Sequence, residues 1–133
     1  MKSEFNTSWR ESKQPRKQRK YLHNLPNHLR QKQMSATLDK DLRKKYGLRS
    51  LEVRKGDEVV VMRGKFKKKV GKVTEVNVKE NVVAVENVQN TKKDGSKINA
   101  WFHPSKLKIK SIVDDKFRLP TKKTEVKSEE KKK

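Results

Sequence analysis

Apolar residues recur at two different spacings along this chain, and the spacing changes near residue 53. In TLDKDLRKKYG, residues 37–47, Leu38, Leu42 and Tyr46 lie four residues apart, which predicts a helix with one apolar face. After residue 53, short runs of β-branched residues alternate with turn sequences, which is typical of strands joined by tight connections. The pattern therefore predicts a helical part followed by a β part.

Two short helices are predicted in the helical part. The first covers LPNHLRQKQM, residues 25–34, with Asn27 as its N-cap. The second is the helix just described, which Asp39 or Thr37 can cap and Gly47 can end. Both helices are short enough to need a neighbour on which to pack.

Five strands are predicted in the β part, in the runs VRKGDEVVVMRG, VGKVTEVN, NVVAVENVQ, KINAWF and KLKIKSIV. Turn sequences separate them at residues 64–69, 79–81 and 92–95. This arrangement favours a small five-stranded barrel, with Trp101 and Phe102 in its core or at its rim rather than stacked on bases. The predicted core residues are Val59, Val61, Val73, Val76, Val83, Val85, Val88, Ile98, Trp101, Leu107 and Ile109.

The two ends of the chain carry few large apolar groups. Residues 1–24 cannot offset the entropy of ordering by burying apolar surface, so we expect a basic arm that is extended or disordered when free. Residues 114–133 mix both charges and are expected to form a flexible tail. The predicted organisation is mainly β: the arm, two short helices in residues 25–52, a barrel in residues 53–113, and the tail.

The charge of the chain points to a polyanionic partner. Apolar residues make up 30% of the sequence and the net charge is +21, whereas ordinary globular domains are roughly 45–50% apolar. Residues 1–53 carry 14 basic and 5 acidic side chains, residues 54–113 carry 15 and 6, and residues 114–133 carry 8 and 5. Because every part is positive, we expect contact with nucleic acid along most of the chain.

Other classes of function are disfavoured by what the sequence lacks. It has no lipidation signal, no signal-peptide core and no run near the ~18 apolar residues of a membrane span, so an anionic membrane is the weaker candidate and no membrane insertion is expected. The absence of cysteine excludes disulfides, thiol catalysis and zinc-finger spacing, which suits an intracellular protein. His103-Pro104-Ser105 has no acid nearby and is interpreted as a rigid turn, so no enzyme activity is expected. His23, His28 and His103 have no other zinc ligands near them, so no metal site or cofactor is expected.

The stretch RGKFKKKVGK, residues 63–72, holds six positive charges and no acid. Gly64 allows a sharp turn after one strand, and Gly71 opens the next strand where a Cβ could block the close approach of a backbone or a ligand. The stretch is either a solvated hairpin loop or a contact with phosphates, and the net charge of the chain favours the contact. The basic arm is a second RNA contact, or a nuclear localisation segment, or both.

The sequence GDEVVVMRGKFKKKVGKVTEVN resembles a KOW motif. LPNHLRQKQMSATLDKDLRKKYGLRSLEVRKGDEV and FHPSKLKI resemble the eukaryotic branch of the large-subunit ribosomal protein family that is numbered twenty-four in bacteria and twenty-six in eukaryotes. The three segments lie in the family's order, and the resemblance covers about residues 10–113. Lys68 stands where a glycine is common, while the usual KOW positions are filled by Gly64, Lys65, Lys67, Gly71, Lys72 and Val73.

That resemblance implies an SH3-like KOW barrel in a structural protein of the large ribosomal subunit. It implies that the protein binds the 5′ region of large-subunit rRNA early in subunit assembly and lies near the peptide exit tunnel. It implies this rRNA and neighbouring large-subunit ribosomal proteins as partners, without homo-oligomerisation. It places the protein in the cytoplasmic ribosome after passage through the nucleus and nucleolus. The residues expected to contact RNA are Arg10, Lys13, Arg16, Lys17, Arg19, Lys20, Tyr21, His23, His28, Arg30, Lys32, Arg43, Lys44, Arg49, Arg54, Lys55, Arg63, Gly64, Lys65, Phe66, Lys67, Lys68, Lys69, Gly71, Lys72, His103, Ser105 and Lys106.

Three other functions are compatible with a basic β domain. A KOW-bearing transcription factor would need an acidic or partner-binding domain beside the barrel, for which 133 residues leave no room. A histone-like protein would bind duplex DNA as well as it binds structured rRNA. An SH3-like peptide-binding module would need clustered exposed aromatic side chains, and the chain has only 2 Trp, 2 Tyr and 4 Phe.

Overall fold

The computed structural model describes residues 5–113, 115, 118 and 119, which form three helices and seven strands. The helices are α1 (Pro15–Asn24), α2 (Asn27–Gln33) and α3 (Lys40–Tyr46), and 3-10 turns cover Thr7–Arg10 and Pro104–Lys106. The strands are β1 (Ser35–Leu38), β2 (Ser50–Glu52), β3 (Glu58–Val61), β4 (Val70–Asn77), β5 (Val82–Thr91), β6 (Lys97–Phe102) and β7 (Leu107–Ser111). The strand order in the sheet is β2-β1-β7-β3-β4-β5-β6.

The mainly β prediction is confirmed, and the sheet curls into a small barrel-like domain. Strands β3 to β7 correspond to the five predicted runs, and β4 and β6 have the predicted bounds. Their pairings are antiparallel, whereas β1 pairs parallel to β7 with Leu38 opposite Ile109. The short connections follow the turn residues that the sequence places between strands.

One apolar core fills the barrel, and most of its predicted members are buried. The prediction is wrong for Ile98 and Trp101, which are 43% and 44% exposed, and Val76 is only partly buried. Strand alternation sends Ala100 and Phe102 inward, so Trp101 faces outward. Ile98 lies where β5 and β6 extend as a two-stranded hairpin beyond their pairing with β4.

The helix expected over residues 37–47 is shorter because its first part is strand β1. Leu38 therefore fills the core from a strand and not from a helix face. Asp39 is the N-cap of α3, and Gly47 ends it at φ +66°. Hydrogen bonding from the Lys40 N–H, and then the Lys108 side chain, lowers the pKa of the Asp39 carboxyl, so this cap is ionised at neutral pH.

The arm is expected to be extended or disordered when free, and this expectation is wrong for residues 15–24, which form α1. Gln18 ties the helix to the preceding 3-10 turn because its Nε2 donates to the carbonyls of Trp9 (3.2 Å) and Arg10 (2.9 Å). At the other end, Arg30 donates to the carbonyls of Leu22 (3.3 Å) and His23 (3.0 Å). These polar contacts hold a helix that has no buried residue.

The predicted N-cap of the next helix is also wrong. Pro26 occupies the cap position of α2, and Asn27 is already the first helical residue. Proline fixes its own φ and has no N–H to satisfy, so the helix can begin directly after it.

The loop between β3 and β4 is closed by its own backbone. The N–H of Lys68 donates to the Val61 carbonyl (2.8 Å), and the N–H of Val61 donates to the Lys69 carbonyl (2.9 Å). Gly64 adopts φ +93° and Lys68 adopts φ +71°, a region that L-residues with a Cβ rarely occupy. The phenyl ring of Phe66 anchors the loop by packing edge-on against Phe102, with a centroid distance of 6.1 Å.

Gly71 allows β4 to approach the bent strand β5. A Cβ at this position would lie 2.7 Å from the Glu86 carbonyl oxygen and 2.8 Å from the Val85 Cγ1. The sequence left open whether a backbone or a ligand requires this glycine, and the structure assigns the requirement to backbone packing.

The C-terminal segment is fixed to the domain by a buried ion pair. Arg118 donates to both oxygens of the Asp57 carboxylate, at 2.8 and 2.6 Å, and also to the Glu52 carbonyl. The two carboxylate oxygens further accept from the N–H groups of Arg54 and Val113. Arg118 is buried and Leu119 packs against the core, so these two residues of the predicted tail are held by the domain; residues 114, 116, 117 and 120–133 lie outside the described part.

We predict that Arg118→Ala lowers the free energy of unfolding by about 3–5 kcal/mol, because it leaves the Asp57 carboxylate buried without a cation. Urea unfolding of the full chain measures the change. Arg54→Ala is the matched control, since Arg54 pairs with Asp115 at a more exposed site, and it is expected to cost less than about 1 kcal/mol. Equal losses in the two variants would contradict the role given to the buried pair.

We predict that Lys68→Gly raises the free energy of unfolding by about 1 kcal/mol, because glycine adopts a positive φ without steric cost. Thermal unfolding measures it. Lys67→Gly removes the same charge from the neighbouring residue, whose φ is not positive, and is expected to lower stability by about 0.5–1 kcal/mol. If both variants shift in the same direction, backbone strain at Lys68 is not the cause.

Candidate nucleic-acid interface

The β3–β4 loop displays five cations on a rigid backbone. Their side chains are exposed, and the ring of Phe66 supports two of them, with the Lys65 and Lys69 amines 5.7 and 5.1 Å from its centroid. The N–H of Met62 donates to the Lys106 carbonyl (2.8 Å), which brings the 3-10 turn of residues 104–106 against the base of the loop. We call the resulting surface the hairpin patch; it comprises Arg63, Lys65, Lys67, Lys68, Lys69 and Lys106.

His103 and Ser105 shape the turn that carries Lys106. The Nδ1 of His103 accepts from the Ser105 N–H (3.3 Å) and lies 2.8 Å from the Ser105 Oγ, so the imidazole caps the 3-10 turn. Because a backbone N–H can only donate, the neutral ring carries its proton on Nε2. This Ser–His contact is local and structural, as the sequence interpretation of a rigid turn expects.

The arm forms a second basic surface around α1. Arg16, Lys17, Arg19 and Lys20 are exposed on this helix, and its first turn carries no acid. The Lys20 amine lies 4.5 Å from the centroid of the Trp9 ring. Tyr21 is half-buried because its ring packs against Phe5, with a centroid distance of 5.4 Å, so a base could stack only on the part that remains exposed.

Several predicted contact residues also have structural partners. Arg30 binds carbonyls at the end of α1, and the Nε of Arg43 donates to the Leu38 carbonyl (2.8 Å). Arg54 forms an ion pair with Asp115. Gly71 and Phe66 also pack within the domain, as described above. Contacts inside the fold therefore fix the positions of all five residues.

The remaining predicted contacts are exposed but spread over separate elements. His23 lies on α1, His28 and Lys32 on α2, Lys44 on α3, and Lys72 on β4. The other exposed predicted residues are Arg10, Lys13, Arg49 and Lys55. The structure therefore gathers predicted contacts in the hairpin patch and in the arm, and leaves the others as single side chains on other parts of the fold.

In the described part of the chain, acidic side chains pair with cations between structural elements and do not neutralise the hairpin patch. Asp39 pairs with Lys108, Glu58 with Lys110, and Asp57 with Arg118. Asp94 accepts from the Ser96 hydroxyl and N–H, which lower the pKa of its carboxyl. Among the described residues, no ion pair involves a member of the hairpin patch, so its charge is available to an external anion.

Sequence reasoning missed exposed residues of the β5–β6 hairpin. Lys92, Lys93 and Lys97 are exposed there, and so is Trp101 at its base. The signal that could have found the lysines is the turn sequence KKDG between two strands. The outward orientation of Trp101 depends on the register of β6, which the sequence pattern did not fix.

Other kinds of site receive no support. Within the described residues, no group of three His, Cys, Asp or Glu side chains could hold a metal ion. None of the helices in the described ranges is long and apolar enough to cross a membrane. A groove of about 420 Å³ beside α2 has no aromatic lining residue, unlike the peptide groove of an SH3-like binding module; it is lined by Gln31, Met34, Glu52, Val53, Arg54, Lys55, Val76 and Val78.

Comparison with known proteins assigns the family. The sequence profile that describes ribosomal protein L26 of eukaryotes and its archaeal counterpart, numbered twenty-four, matches residues 12–122. The protein named "Large ribosomal subunit protein uL24" of Sulfolobus acidocaldarius is 45% identical over 109 residues, which cover 81% of this chain and 81% of that protein. The matched range contains the hairpin patch and residues 12–24 of the arm. This chain therefore belongs to the family of ribosomal proteins that is numbered twenty-six in eukaryotes and twenty-four in archaea.

Proposed function

We propose that this chain is a structural constituent of the large ribosomal subunit and binds rRNA through the hairpin patch and the arm. The observation that carries the proposal is the group of cations on a closed, rigid loop that has no ion pair among the described residues. Family membership supports it, because the Sulfolobus relative is named as a large-subunit protein. Displayed charge on a hydrogen-bonded loop fits a structural, RNA-binding role.

Binding by these surfaces is electrostatic and guided by shape. Lysine and arginine side chains neutralise phosphates and release counterions, which makes affinity fall steeply with salt. An A-form helix offers phosphates and 2′-hydroxyls and hides most base edges, so this mode of contact needs little base specificity. The closed loop reduces the entropic cost of binding, because the backbone that carries the lysines is already ordered.

The finer assignments come from the family resemblance of the three sequence segments. We infer that the contacted RNA is the 5′ region of large-subunit rRNA, that the protein joins early in assembly, and that it lies near the peptide exit tunnel beside other large-subunit proteins. It enters the nucleus and nucleolus before reaching the cytoplasmic ribosome, as a monomer and without enzyme activity. The predicted contact residues outside the two main surfaces contribute single phosphate contacts.

We predict that replacing Lys65, Lys67, Lys68 and Lys69 with Ser weakens rRNA binding and flattens its salt dependence. If each lysine contacts one phosphate, the slope of log affinity against log salt falls by about 3 in magnitude. The thermal midpoint should stay the same or rise slightly, because exposed substitutions also relieve charge repulsion. Filter binding to an rRNA fragment at several salt concentrations, with thermal unfolding in parallel, measures both quantities.

The matched control removes the same charge elsewhere on the surface. Replacing Lys40, Lys45, Lys79 and Lys93 with Ser takes away four exposed lysines that are not predicted contacts. It should change the slope far less. If the two quadruple variants lose equal affinity, binding depends on net charge alone and not on the hairpin patch; if the patch variant unfolds, the loop is structural.

A further inference from the structure

We propose that the outward face of β6 is a stacking site for an unpaired RNA base, centred on Trp101. This inference rests on the proposed function, since it names a further contact with the same RNA. Trp101 is 44% exposed, whereas an indole normally contributes to stability by being buried. A large aromatic side chain left on the surface of a sheet is the feature that sheet-based RNA-binding domains use to stack bases.

Strand geometry places two hydrogen-bonding side chains beside the indole. Side chains two residues apart in an extended chain point to the same face about 7 Å apart, so Asn99, Trp101 and His103 form one row. All three are exposed. The cross-strand partner of Trp101 is Ala84, whose small side chain leaves the indole without a bulky neighbour opposite it.

The flanking groups carry the chemistry that recognises base edges. The Asn99 amide oxygen accepts from the Gln89 amide (3.3 Å), which orients the Asn99 side chain and leaves its NH₂ group able to donate. The Nδ1 of His103 accepts from the Ser105 N–H, so the Nε2–H of the neutral ring can donate to an RNA acceptor. The row therefore combines a stacking face with a donor on each side.

The side chains around Trp101 favour RNA over a protein partner. Lys97 lies on the same face of β6, two residues before Asn99, and Lys106 lies in the 3-10 turn that follows His103. Two exposed acids lie on the neighbouring strands: Glu75 is opposite Ala84 and so two strands away from Trp101, and Glu86 lies on β5 between Ala84 and Gln89, the cross-strand partners of Trp101 and Asn99. A protein-docking surface would offer a contiguous apolar patch, but polar Asn99 and His103 flank this single exposed aromatic side chain on its strand.

Tryptophan fluorescence of the full chain tests the proposal. The substitution Trp9→Phe leaves Trp101 as the single indole, since the chain has 2 Trp. Adding a short single-stranded oligoadenylate should quench this fluorescence, because stacking brings the base onto the ring. An RNA duplex with the same number of phosphates should bind through lysines and leave the fluorescence nearly unchanged.

Substitutions in the same Trp9→Phe background separate stacking from packing. Trp101→Ala should weaken oligoadenylate binding roughly tenfold without changing the salt slope, because no charge is lost. Trp101→Phe should keep most of the affinity for oligoadenylate. Trp101→Leu keeps an apolar side chain of similar bulk, so it should fold, but it should lose as much affinity as Trp101→Ala. Ile98→Ala, at an exposed position on the opposite face, should have no effect.

Each other outcome overturns the proposal in an identifiable way. If oligoadenylate binds while Trp101 fluorescence stays unchanged, or if Trp101→Leu binds as well as Trp101, no base stacks there and rRNA binding by the hairpin patch still stands. If the Trp101 variants bind RNA normally but fail to associate with large ribosomal subunits, this face contacts a protein. If the unsubstituted chain binds no RNA even at low salt, the proposed function itself is wrong.

Discussion

Repulsion between basic side chains is the physical constraint on which the rest of this structure depends. With a net charge of +21, the chain cannot bring its cations together in a compact fold without strain. The acids Asp57, Asp39 and Glu58 neutralise cations at joints between elements. The cations of the hairpin patch are carried outward on a loop instead, where an RNA backbone can supply the missing negative charge.

The loop can display charge because apolar and backbone contacts hold it. Phe66 packs on Phe102, Met62 bonds to the Lys106 carbonyl, and Gly71 lets β4 lie against the backbone of β5. None of these contacts uses a lysine side chain, so the lysines remain available for phosphates. The left-handed backbone at Lys68 is strained, and this residue adds one more cation to the surface of the loop.

The sequence predicted the elements whose stabilising contacts follow a local pattern. Strands β3 to β7 alternate with turn residues, and the basic loop has its charges and glycines close together in the sequence. Both features could therefore be predicted. Helix α1 was missed because Gln18 and Arg30 hold it by polar contacts, which produce no hydrophobic period. Leu38 fitted a helical spacing yet belongs to a strand, and Arg118 finds Asp57 across 61 residues, a pairing that no local pattern reveals.

The central claim is that the displayed cations are arranged for structured rRNA and not for polyanions in general. Competition binding with the full chain at fixed salt tests it most directly, using a fragment from the 5′ region of large-subunit rRNA and a DNA duplex with the same number of phosphates. The account predicts that the rRNA fragment displaces a labelled rRNA probe at a concentration at least about tenfold lower than the duplex does, a difference of about 1.4 kcal/mol. Equal displacement by duplex DNA would contradict it.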